Sequence, residues 1–177
     1  MRTRVRPTTG KNVAARLFFR FFLCYFLSGA FAAALAARGA LWRSFDYARA
    51  GRAEFVFVLL ALLGSVLTLS KPYLLLLTAA KAFFDVALCA ALLPLLRAGG
   101  HVFLTSNACF LYLVFSLTLF CMAAARSCLF SFSGAERDLR LLCSKRFLLY
   151  LVEALFFAAL ALSLYFIWPQ LSALCNV

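Results

Sequence analysis

Apolar residues in this chain come in long runs, and polar residues gather between them rather than alternating with them. A helix needs about 20 apolar residues to cross a hydrocarbon core of ~30 Å. Five segments approach that length, at about 17–37, 55–70, 73–96, 102–125 and 147–168. The pattern predicts an all-α, polytopic transmembrane bundle of about five helices, organised as one integral membrane domain over residues 1–177. The second run is short, and only Lys71 and Pro72 separate it from the third. Pro72 falls where a helix begins, a position at which its missing N–H costs nothing. The second and third runs are therefore expected to form a tight helical hairpin.

The breaks between runs carry the charge. The N-terminal tail holds Arg2, Arg4, Arg6, Lys11 and Arg16, and the fourth connection holds Arg126, Arg137, Arg140, Lys145 and Arg146. With five spans these two segments share a side, together with Lys71. The other side receives Arg38, Arg43, Arg49, Arg52 and Arg97. The excess of Lys and Arg favours a cytoplasmic N-terminus and an outer C-terminus. The four arginines of the first connection pull against that assignment. A signal peptide is the competing reading of the first run, with Ala34-Leu35-Ala36 as its small-residue end. That run exceeds the usual h-region of about 7–15 residues, so it reads as a span.

Two connections have features of their own. Residues 38–54 mix arginines with Trp42, Phe45 and Tyr47, which suits a helix lying in the interface or an ordinary aromatic belt. Ser133 and Glu136 have capping-box spacing and would start a helix leading into the last span.

Composition agrees with the pattern. Apolar residues make up 66% of the chain and mean hydropathy is +0.99, against roughly 45–50% apolar in soluble domains. The formal charge of +12 could suggest nucleic acid. However, the basic residues sit at span ends, where topology places them, so no nucleic-acid partner is expected. Seven cysteines and a single histidine, His101, contain no CxxC pair and no zinc spacing; neither metal nor cofactor is expected. No phosphate-binding Gly-rich loop, HExxH or GxSxG motif occurs, and the polar segments are too short for a soluble catalytic domain. The chain is therefore not expected to be an enzyme.

Within the third run stand Lys81 and Asp85, four residues apart on one helical face. Charges at that depth usually face a bundle interior or a water cavity. Two readings follow: an ion or proton path, or a neutral pair that fixes helix rotation. With no second acidic group expected at similar depth, the packing reading is preferred. Glu153, early in the last run, is expected to reach the headgroups or to pair with Lys145 or Arg146. Thr105, Ser106 and Asn107 are expected to form interhelical hydrogen bonds. On the first run Ser28, Ala32 and Ala36 recur every four residues, with Gly29 and Ala33 beside them. Such small-residue spacing lets helices approach closely, either within the bundle or against another protein.

The stretch LLGSVLTLSKPYLLLLTAAKAFFDVAL, with Gly64, Pro72, Lys81, Ala82 and Phe83, resembles the stage II sporulation protein M family. That family has about five spans, a hairpin marked by glycine and proline, a leucine run, and then a basic, a small and an aromatic residue. The tail YFIWPQL is similar to the family's proline-containing exit, with Pro169 ending the last span. The chain departs from the family at Ala82, Asp85 and Ala87, where glycines are usual, and its first outer connection is shorter. The resemblance implies a non-catalytic membrane scaffold for peptidoglycan-degrading enzymes, a lytic transglycosylase and an amidase, during sporulation engulfment. Gly64, Pro72, Lys81 and Phe83 would then be helix-packing positions. The alternative from a different class is a small transporter or permease subunit using Lys81 and Asp85.

Overall fold

The computed structural model describes residues 10–37, 50–65, 70–98, 102–133 and 145–175. Within them the chain forms five helices: α1 (Gly10–Ala37), α2 (Ala50–Leu63), α3 (Ser70–Ala98), α4 (Val102–Ser133) and α5 (Lys145–Cys175). Four of these, all but α2, are long and apolar enough to cross a membrane. The protein is thus a helical membrane bundle. Loop features at 38–49 and 134–144, including the aromatic–arginine segment and Glu136 of the capping box, lie outside the described residues.

α4 is the hub, packing against each of the other four helices. More than half of its apolar span is buried, whereas α1 and α5 are largely turned outward. Phe19, Leu23, Phe26, Leu27 and Phe31 of α1, and Leu148, Leu155, Phe156 and Phe166 of α5, are all exposed. In water these would be a sticky surface; in lipid they are the solvent-facing side. The buried face of α3 follows the helical repeat: Leu74, Leu77, Thr78, Lys81, Ala82, Asp85 and Leu88.

Side-chain contacts set the helix directions. Phe130 of α4 stacks near Phe147 and Tyr150 of α5, so the end of α4 meets the start of α5. Gly51 of α2 abuts Trp168 near the end of α5. Cys24 and Phe31 of α1 meet Leu75 and Phe83 of α3 in the same order, so α1 and α3 run parallel. The starts of α1, α3 and α5 and the ends of α2 and α4 therefore lie at one end of the bundle. Lys71, in the first turn of α3, lies at that end. The start of α5 at Lys145 lies at this end too, while the basic residues of 1–9 and 134–144 lie outside the described residues.

α2 departs from expectation. It begins at Ala50, five residues before the anticipated start, and ends at Leu63 rather than near residue 70. Six residues, 64–69, separate it from α3, so the two are not joined by Lys71 and Pro72 alone. α2 leans mainly on α5 and α4 and only lightly on α3, which makes the pair less of a hairpin than the sequence suggests. At 14 residues and ~1.5 Å per residue, α2 is about 21 Å long, shorter than the hydrocarbon core.

A helix that stops short exposes carbonyls that lipid cannot satisfy. The bundle supplies donors. Leu60 O accepts from Gly64 N (3.1 Å) and from the Tyr73 hydroxyl (3.2 Å). Leu62 O accepts from Ser65 N (3.2 Å), Ser65 Oγ (2.9 Å) and the Tyr150 hydroxyl (2.9 Å). The turn itself and two other helices, α3 and α5, thus cap the end of α2. Gly64 sits in this turn because a Cβ there would come 2.8 Å from Leu74 Cδ2 and 3.1 Å from Ala61 O.

Pro72 lies in the first turn of α3, where the lost N–H is free of cost, as expected. Pro169 does not end the last helix: α5 continues through it to Cys175. Proline's fixed φ is compatible with a helix, and what it forfeits is its own N–H donor.

At the opposite end of α2 the fit is tightest. A Cβ on Gly51 would sit 2.7 Å from Trp168 Cβ, close to the α5 backbone, where little can yield. Gly51→Val should destabilise the bundle by about 1–3 kcal/mol through overpacking. Thermal unfolding of the detergent-purified variant checks this; an unchanged midpoint would mean the α2–α5 contact is loose.

A buried charge triad as candidate functional site

Lys81 and Asp85 meet as their spacing predicts. Lys81 Nζ donates to Asp85 Oδ1 and Oδ2, both at 3.1 Å. The shorter contact, however, is with a residue outside the expected set: Lys81 Nζ donates to Glu54 Oε2 at 2.6 Å. The expected neutral pair is therefore a triad of one ammonium and two carboxyl groups. The expectation that no second acidic group shares this depth is corrected by Glu54, which was assigned to an interfacial connection. Because α2 starts at Ala50, Glu54 lies inside the helix, one turn before buried Val58 and two before Ala61. That i, i+4, i+7 pattern was the available signal. It was masked by Arg49 and Arg52, which read as loop charges.

Around the triad are groups from two further helices. The Tyr25 hydroxyl of α1 donates to Asp85 Oδ2 at 2.5 Å, and Ser116 Oγ of α4 donates to Glu54 Oε2. The Phe57 and Phe120 rings flank Lys81 Nζ, with centroids at 5.6 and 6.0 Å, within the range of cation–π attraction. Lys81 and Glu54 are fully buried, and Asp85 is 2% exposed. Tyr25 is the midpoint of the apolar span Val13–Ala37, and Lys81 the middle of Ser70–Ala91. The cluster thus lies level with the middle of these two apolar spans.

Two buried polar atoms here have no hydrogen-bond partner among the described residues: Glu54 Oε1 and the Tyr112 hydroxyl. Tyr112 precedes Ser116 by one turn and shares its helix face. Its ring rests on Trp168, the same side chain that covers Gly51.

The remaining anticipated residues serve helix approach. Ala32 is fully buried, Gly29 faces Val86 of α3 at 4.0 Å from its virtual Cβ, and Ser28 and Ala36 are half-buried on α1. Phe83 makes an edge contact with Phe31. The small-residue stripe is thus used, at Gly29 and Ala32, within the chain itself. Glu153 pairs with Arg126 at 3.3 Å, both partly exposed; Lys145 and Arg146 were the expected partners. Asn107 is exposed, and the side chains of Thr105 and Ser106 lie outside the described residues. No group of three or more metal-ligating side chains occurs among the described residues.

The third member changes what substitution should do. Replacing Lys81 and Asp85 together no longer neutralises the site, because Glu54 stays behind. Lys81→Met should cost about 3–5 kcal/mol by stranding two carboxyl groups. The triple variant Lys81→Met/Glu54→Gln/Asp85→Leu should recover most of that loss. Thermal unfolding in detergent distinguishes them; a triple variant no better than Lys81→Met would mean that shape, not charge balance, governs the site. Comparison with known proteins leaves the triad as the main guide to role: no family model, curated protein or solved structure matches this chain.

Proposed function

We propose that this chain is a non-catalytic integral membrane protein that acts by binding and positioning other membrane proteins. The observation that supports this reading is the sealing of the triad. Its hydrogen bonds join α1, α2, α3 and α4, and aromatic rings cover the ammonium on two sides. Such a cluster holds four helices of one chain in fixed rotation, as a rigid anchor requires. The resemblance to the stage II sporulation protein M family narrows the partners to peptidoglycan-degrading enzymes during engulfment. In that setting the N-terminus faces the cytoplasm and the C-terminus the outside, in line with the excess of basic residues at the end that holds the N-terminus.

Affinity purification of the chain in mild detergent is expected to recover a membrane-anchored cell-wall hydrolase. Recovery of the chain alone, after cross-linking in intact cells, would overturn the reading.

A second reading is favoured by one finding. Glu54 is the second deep acid that a proton or ion path calls for, so the chain could instead serve as a permease subunit. Purified protein in liposomes then conducts protons or a small ion, and Glu54→Gln abolishes the flux. An anchor gives no flux above protein-free liposomes.

A further inference from the structure

Count the charges that meet in this cluster. Lys81 brings one positive charge, and Glu54 and Asp85 bring two carboxyl groups, all essentially excluded from solvent. If both acids were ionised the cluster would carry a net charge of −1. The other described groups facing it are Tyr25 from α1, Cys89 one turn on in α3, and Ser116, Tyr112 and Cys121 from α4, none of them a cation. An uncompensated charge in hydrocarbon is among the costliest arrangements a membrane protein can hold, and two carboxylates on one site resist joint ionisation.

The hydrogen bonds locate the deficit. Both Asp85 oxygens and Glu54 Oε2 accept from donors, whereas Glu54 Oε1 has no partner among the described residues. A proton on the carboxyl pair adds one O–H bond, takes the cluster to neutrality, and converts a bare acceptor into a donor. The other unpartnered polar atom, the Tyr112 hydroxyl, lies on the α4 face that carries Ser116 and offers a lone pair. We propose that the Glu54–Asp85 pair is a binding site for one exchangeable proton, drawn from water and shared between the two carboxyl groups. Because the groups are coupled, the proton belongs to the pair rather than to either residue. A metal cation fits poorly: hard cations take about six or more oxygen ligands, and only two unpartnered oxygens are described. The inference holds for an anchor and for a permease subunit alike.

Infrared spectroscopy of the full chain in lipid vesicles tests it. At about pH 8 exposed carboxyl groups are ionised, so a protonated-carboxyl C=O band reports a buried acid. The expected result is such a band in the unaltered protein, shifted in deuterium oxide, unaffected by exchanging sodium for choline, and lost in both Glu54→Gln and Asp85→Asn. No band, no deuterium shift, loss on adding sodium, or persistence of the band in the double variant overturns the proposal. Loss in only one single variant overturns the sharing and places the proton on that residue. The unaltered protein decides the main point even where a variant fails to insert.

Discussion

An ammonium group at the centre of a bilayer has no water to solvate it, and the helices must provide what water would have given. Lys81 receives oxygen atoms from α2 and from its own helix, and aromatic faces from α2 and α4. Its partners are held in turn by Tyr25 and Ser116. Apolar helices in lipid have little hydrophobic reason to associate, since one hydrocarbon surface is as good as another. Polar groups that must find one another supply a reason. The rotation of four helices about their axes is tied to this single site, while α5 is held by packing on α2 and α4 and by Tyr150.

The shortness of α2 follows from the same economy. A helix of about 21 Å cannot present its carbonyls to headgroup water at both ends. Its C-terminus is finished by hydroxyls of Ser65, Tyr73 and Tyr150. Those side chains come from the turn, α3 and α5, so the end of α2 is a second polar knot. Trp168 closes the other end over Gly51. Both knots depend on residues far apart in sequence, which is why α2 sits between α4 and α5 rather than flat against α3.

Helix content and the long spans were legible in the sequence because they depend on local run length. The Lys81–Asp85 contact was legible too, since i, i+4 spacing is a property of one helix. Glu54 was not, because its place depends on where α2 begins. Arg49 and Arg52 beside it gave the look of a surface connection. Tyr25 and Ser116 carried no signal at all; single hydroxyls in apolar runs acquire meaning only from the partner helix they face. Pro169 misled for a related reason: proline is a stop signal in water, but a bundle in lipid can carry a helix through it.

Glu54, Lys81 and Asp85 belong to consecutive helices, α2 and α3, whereas Ser116 comes from α4. Read in the order of synthesis, the ammonium and both of its acids have been made before the central helix emerges from the ribosome. The two segments can leave the insertion machinery with their charges already satisfied by each other, so that neither enters lipid as a lone ion. α4, later in the chain, supplies the serine and the phenylalanine ring that close the site. The order of residues along the chain is thus also a schedule, in which the most expensive group to insert is never without company.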